Sequence, residues 1–188
     1  NDFIVSSGSI IVGSGSTLRV GGGTGGLGAI KKSAGATTQN LDIVATGSVI
    51  FDRVDAIVYS GIISGIGSLT QDGLGGELVI TGANTYTGGT TVSRGTLRLT
   101  SAGSLGTGNI TVATGAKLVY EQSATNPKFL GGGEVWVQAG NTLTFSVGSG
   151  ASIKYSNQFR GASSWLKSGL GDLYLSGDSS GFTGAVTL

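Results

Sequence analysis

Three short stretches carry side chains or spacings with the chemistry to react or to hold a ligand. In "GDSSG", residues 177–181, a serine follows Gly-Asp, which would suit a nucleophile if an imidazole stood by to take its proton. In "FDRVD", Asp52 and Asp55 are close enough in the chain to suggest paired carboxylates for glycan cleavage. In "GGTGGLG", Gly23, Gly25 and Gly28 reproduce the Gly-x-Gly-x-x-Gly spacing that cradles a pyrophosphate. Each fails on what surrounds it. The chain has no His and no Cys, so the serine lacks a base, and imidazole and thiolate metal sites go with it. Within one strand, positions 52 and 55 point to opposite faces, not to a shared one. The glycine motif needs a helix to open behind it, and "AIKKSAGATT" supplies none. Calcium-binding glycine repeats would need a periodic Asp, and Asp72, Asp172 and Asp178 keep no period. The sequence therefore points to no catalytic residue, no metal and no cofactor.

The elements that would position any site follow from composition. Charged residues make up 11 % of the chain, against roughly 25 % in ordinary soluble proteins, while 37 of 188 residues are Gly and one is Pro. With 38 % apolar residues and a net charge of +1 the chain escapes the profile of disorder and reads as a glycine-rich, all-β single domain. The best helical candidate, "GAIKKSAGATTQNLDI", lacks a sustained 3.6 period with caps and reads as a loop. Lys31 and Lys32 form an isolated basic pair, and no basic stripe is interleaved with aromatics, which argues against nucleic acid as a partner. No apolar run approaches the roughly 18 residues that span a bilayer, so no membrane insertion of this segment is expected. The opening "NDFIVSSGS" lacks the basic and apolar regions of a leader, and the segment reads as a truncated piece of a longer solenoid.

Repeats occur at two scales. The finer is Val, two residues, Gly, two residues, Leu or Ile: Val12-Gly15-Leu18, Val44-Gly47-Ile50, Val112-Gly115-Leu118 and Val137-Gly140-Leu143, with Val92-Gly95-Leu97 one residue shorter. Each copy reads as strand, glycine corner, strand. The coarser repeat pairs residues 68–92 with residues 164–188, matching Gly73 with Gly169, Leu78 with Leu173, Gly82 with Gly177 and Tyr86 with Phe182. Units of about 20 to 25 residues stacked in series describe a β-solenoid. A closed sandwich or barrel also yields short strands and glycines, but without such self-similarity. In a solenoid, Val12, Leu18, Val44, Val92, Leu97, Val112, Leu118, Val137 and Leu143 should fill one continuous core.

Residues 67–99, "GSLTQDGLGGELVITGANTYTGGTTVSRGTLRL", resemble the passenger-associated transport repeat, or autotransporter-associated β-strand repeat, of bacterial type V secreted proteins. Leu69, Gly73, Gly75, Leu78, Ile80, Gly82, Asn84, Tyr86, Gly88, Thr90, Val92, Gly95 and Leu97 carry the likeness. This copy has Gln71 where the family usually shows Lys, and an extra Gly76; the copy at 164–188 has Lys167, but Ser179 and Phe182 in place of the usual Asn and Tyr. The resemblance implies a passenger folding as a right-handed parallel β-helix outside the cell, threaded through the outer membrane by a C-terminal β-barrel translocator. It implies a location on the bacterial surface or in the medium, and often adhesion to a host-cell or matrix protein, a glycan, or other bacteria. The repeat itself is thought to aid secretion and folding, which offers a second role as a stalk. A glycan-acting β-helix enzyme is a third, weaker reading.

Within the repeat, Gly82, Asn84, Tyr86, Gly88 and Gly95 read as a structural turn, with Asn84 bonding the backbone of its own turn and Tyr86 lying against the next rung. Two segments break the cadence and read as projecting loops. One, "EQSATNPKFLGGGE", holds Pro127, Lys128 and Phe129; the other, "SIKYSNQFRGASSWLK", gathers Lys154, Tyr155, Phe159, Arg160, Trp165 and Lys167. Lys128, Phe129, Lys154, Tyr155, Phe159, Arg160 and Trp165 therefore form a candidate ligand surface. The competing reading makes Phe129, Phe159 and Trp165 core residues, and the sequence leaves both open. Open strand edges at the ends of a solenoid would also allow the rod to self-associate.

Overall fold

Strand-formers alternate here with polar residues. "KLVYEQ" (Lys117–Gln122) and "TLTFSV" (Thr142–Val147) turn Leu118, Tyr120 and Gln122, and Leu143, Phe145 and Val147, to one buried side. No such strand can bury that side alone. It does so by pairing with the strand one turn further along.

The computed structural model describes residues 3–5, 9–22, 30–32, 39–40, 42–100, 102–123, 128–130, 133–156 and 158–188, and among them it is all-β with no helix. The chain winds around three sides in turn. A first face stacks Thr17–Gly21, Ser48–Asp52, Ser68–Gln71, Thr90–Val92, Ile110–Val112, Val135–Val137 and Phe159–Arg160. A second face stacks Ala56–Tyr59, Glu77–Ile80, Thr96–Leu99, Lys117–Gln122, Thr142–Val147, Ser164–Ser168 and Val186–Thr187. The third side is broken. Ser9–Val12, Asp42–Ala45 and Ile63–Ser64 form one sheet, a single bridge joins Ala83 to Ser104, and Lys128–Leu130, Ser152–Tyr155 and Asp172–Leu175 form another. All the pairings on these sides are parallel, and the result is a β-solenoid of about six turns. The exception lies near the start, where Ile30–Lys32 pairs antiparallel with Gln39–Asn40 inside the stretch expected to be a loop.

Register builds the core as ladders. On the first face Val49, Leu69, Thr90, Ile110, Val135 and Phe159 lie one above another; on the second Leu78, Leu97, Leu118, Leu143 and Trp165 do the same. All are buried, and each fully buried aliphatic side chain contributes roughly 1.5–3 kcal/mol. The finer cadence is observed in this core: Val12, Val92, Leu97, Val112, Leu118, Val137 and Leu143 are buried and Leu18 packs partly against them.

Val44 is a correction. It is 40 % exposed, because Val12 pairs with Ala45, and a one-residue offset on a strand turns a side chain to the other face. The cadence also serves two corners. Gly15 and Gly47 lie between the third side and the first face, whereas Gly95, Gly115 and Gly140 lie between the first and second faces. Gly115 turns with φ +82°, a conformation other residues resist; Gly47 has no such φ but sits so close to the Ser16 carbonyl that a Cβ would collide.

The coarser repeat is similarly displaced. Residues 68–92 begin on the first face and residues 164–188 on the second, so the same pattern starts one side further round the rod. The segment expected to project around Tyr155 is not a loop: Ser152–Tyr155, Phe159–Arg160 and Ser164–Ser168 are stacked strands of three different sides.

Candidate functional site

The repeat turn is internal. Asn84 is buried, and its Oδ1 accepts the Ile63 N–H at 2.7 Å while its Nδ2 donates to Gly82 O at 3.2 Å and Ser104 O at 2.7 Å. One side chain thus ties its own turn to the turn before and the turn after. Tyr86 is also buried and shares a hydrogen bond with the Thr90 hydroxyl; burial pushes its phenol up to about 12, against the smaller opposing effect of that bond. The backbones at Gly82 and Gly88 lie against the carbonyls of Gly61 and Gly67, and Gly95 turns with φ +67°. None of these side chains offers a group to a ligand.

The second candidate surface divides by strand alternation. Tyr155 and Phe159 are 1 % exposed and Trp165 is 5 % exposed, so these three are core residues and not a surface. They join one aromatic column, with ring centroids 4.5 Å apart from Tyr155 to Phe159 and from Phe159 to Trp165, and 4.3 Å from Trp165 to Phe182. Lys154 and Arg160, their neighbours in sequence, face outward, and Lys154 Nζ lies 5.7 Å from the Tyr174 ring centroid. Lys128 and Phe129 lie on the strand Lys128–Leu130, but their side chains, like Pro127 and the Gly23 to Gly28 motif, lie outside the described residues.

Six of the described acidic side chains, Asp52, Asp55, Asp72, Glu77, Glu121 and Glu134, are paired with arginines. Asp52 ends a strand and meets Arg19 at 2.7 Å, while Asp55 lies beyond the corner and pairs with Arg53 at 2.6 Å. Hydrogen bonding to Arg53 holds the Asp55 carboxyl below its ordinary value, and Arg94, at 2.8 Å, does the same for Asp72. A glycosidase acid needs the opposite shift. In residues 177–181, Ser179 Oγ donates to its own turn at Gly177 O, and Asp178 accepts the Ser180 N–H. Among the described residues no group of three or more Asp or Glu could hold a metal ion.

A groove on the first face joins Arg160, named above as part of the candidate ligand surface, to Thr111 and Trp136, which the sequence reading did not name. Thr111, Trp136 and Arg160 are in register on three successive turns, at positions whose side chains point outward. Trp136 is 46 % exposed; its indole N–H donates to Glu134 Oε2 at 3.0 Å, and the Arg160 guanidinium lies 5.6 Å from its ring centroid. Arg160 donates in turn to Glu134 Oε1 at 3.1 Å and Gln158 Oε1 at 2.9 Å. A groove of about 550 Å³ opens beside the ring, with Asn109, Thr111 and Gln138 along it. The signal was present in "VWVQ": a Trp between two inward valines of the cadence must face out.

The passenger-associated-transport-repeat family model matches residues 69–99 and 166–188. The chain is 33 % identical over 150 residues to the adhesin BmaC autotransporter of Brucella suis biovar 1 (strain 1330). That alignment takes in 76 % of this chain and 4 % of the relative, so the chain spans about 4 % of the length of the curated protein it matches. No solved structure matches it. The chain thus carries two passenger-associated transport repeats within a parallel solenoid, and over most of its length it is similar to part of an autotransporter adhesin.

Proposed function

We propose that the chain is a non-catalytic segment of a bacterial surface passenger that serves adhesion. The observation that carries this reading is the likeness, over most of the chain, to a protein named as an adhesin. The scaffold is consistent with it: strands stacked in register form a rigid rod, and binding concentrates on side chains held by such rods. The lack of His and Cys, and carboxylates held down by arginine, support a role without catalysis. In this reading the parent protein supplies a C-terminal β-barrel translocator and displays the rod at the outer membrane or releases it. The partner is a host-cell or matrix protein or glycan, or the same rod on a neighbouring bacterium.

A second reading, a stalk that promotes secretion and folding of the passenger, is favoured by one observation. The polar side chains of the repeat turn, Asn84 and Tyr86, are wholly engaged inside the rod. The two readings separate by measuring binding of the folded chain to host cells, matrix proteins and sister bacteria at physiological salt. Saturable binding is the expected outcome. A folded chain that binds none of these would leave the stalk, which predicts that deleting residues 67–99 from the parent protein reduces the passenger counted at the cell surface.

A further inference from the structure

The polar groups around Trp136 can be accounted for one by one. Glu134 is committed on both oxygens, one to the indole N–H and one to Arg160. Arg160 bonds both Glu134 and Gln158 through Nη2 and lies against the ring, while its Nε is buried without a partner. The two opposite charges therefore satisfy each other while fixing the plane of an indole that remains nearly half open to solvent. Asn109 uses its carbonyl oxygen to accept the Glu134 N–H, and Gln138 uses its own to accept the N–H and hydroxyl of Thr114. The amide N–H groups of these two side chains and the hydroxyl of Thr111 make no hydrogen bond among the described residues. What faces the groove is thus a fixed aromatic plane edged by neutral donors and a hydroxyl, with Glu134 and Arg160 paired to each other.

That combination selects a ligand. An anion would meet a guanidinium already paired with Glu134 and would have to approach that carboxylate. An apolar peptide segment would bury three polar groups without partners, each an unfavourable desolvation. A pyranose ring has what the groove lacks: an apolar C–H face to lie on the indole, and hydroxyls around its rim to pair with amides and a hydroxyl. The volume of about 550 Å³ falls in the range of small-ligand sites and leaves room for more than one ring. The groove also rests on paired strands, Ile110–Val112 and Val135–Val137, so its geometry is held without a ligand.

We infer that this groove is a subsite for a neutral oligosaccharide, in which Trp136 stacks on one sugar ring and Asn109, Thr111 and Gln138 bond its hydroxyls. The inference rests on the adhesin reading and gives it a ligand class. The test is binding of the folded chain to printed neutral oligosaccharides containing galactose or N-acetylglucosamine, beside sialylated and sulfated counterparts. Hits are then titrated by tryptophan fluorescence. The chain has two tryptophans, and the other, Trp165, is buried, so a ligand-dependent change reports Trp136. Neutral glycans should bind, W136A should weaken them tenfold or more, and W136F should retain most of the affinity. Circular dichroism confirms that the variants are folded, which an exposed position permits. Saturable cell binding that survives both W136A and periodate oxidation of cell-surface sugars would overturn the glycan subsite and leave the adhesin. Preference for sulfated or sialylated ligands would overturn the neutral assignment. Absence of both cell and glycan binding by the folded chain would overturn the adhesin reading with it.

Discussion

The two copies of the coarse repeat have nearly the same pattern and different fates. In residues 68–92 Leu78, Ile80, Tyr86 and Val92 are fully buried; at matching places in residues 164–188, Leu173 and Phe182 are only partly covered and Leu188 is 91 % exposed. Asn84 bonds three turns, whereas Ser179, standing where the family has Asn, reaches only Gly177 in its own turn. In the first copy every strand is paired on both sides, whereas in the second Asp172–Leu175 and Val186–Thr187 are paired on one side only among the described residues. Burial in a solenoid is thus a property of neighbours, not of the repeat itself.

The largest separation of the two copies should come from their aromatic residues. Tyr86→Ala leaves a cavity in the middle of the rod and should destabilise the fold by roughly 3–5 kcal/mol in urea unfolding. Phe182→Ala, in a half-covered position, should cost well under half as much. Equal losses would break the argument that neighbouring turns decide the energetics.

Alkaline pH tests the same site without a cavity. Tyr86 stays protonated in the fold until about 12, while in the unfolded chain it ionises near 10. Its contribution is therefore complete below pH 10 and falls away as pH rises from 10 to 12, by about 3 kcal/mol in total. Tyr120 is raised by burial as well and adds to the slope. The share due to Tyr86 is the difference between the parent chain and Tyr86→Phe over that window, and Tyr86→Phe should lose stability less steeply. No Phe substitution is available to reproduce this in the second copy, where Phe182 already stands.

Much of this architecture was legible in sequence because it is local. A cadence with Gly at each corner reports that strands turn, and period-2 alternation reports which side of each strand is buried, so Val112, Leu118, Val137 and Leu143 could be named as core. Register was not legible. Whether Val44 or Ala45 faces inward depends on its pairing with Val12, which is fixed by the length of the turn between them. The site shows both sides of this limit. Lys154, Tyr155, Phe159 and Arg160 look like one sticky cluster when counted by type, yet alternation along each strand sends Tyr155 and Phe159 in and Lys154 and Arg160 out. Trp136 facing outward could have been read from "VWV". That Arg160 would stand over it could not, because it depends on how many residues the intervening turn contains.

Asn84→Ala separates the copies by polar chemistry. It removes three hydrogen bonds and leaves the Ile63 N–H without its acceptor, for an expected loss of about 2–3 kcal/mol. Ser179→Ala, which removes one long bond at 3.5 Å within a single turn, should stay within about 0.5 kcal/mol. If the two cost the same, the Asn side chain is not acting as a tie between turns.

The smallest expected effect is the most discriminating. Ser179→Asn restores the residue usual in the family at a position where residue 84 has Asn. If the side chain alone made the tie, stability would rise by about 1 kcal/mol or more, since each new bond contributes about that much. A tie needs a carbonyl on the far side as well, as Ser104 O provides for Asn84, and among the described residues the Ser179 side chain reaches only its own turn. The expected change is therefore within about 0.5 kcal/mol in this chain. In a longer segment of the parent protein that adds a following turn, the same substitution should stabilise. A gain in the first case would locate the effect in the residue, and a gain confined to the second would locate it in the stacking.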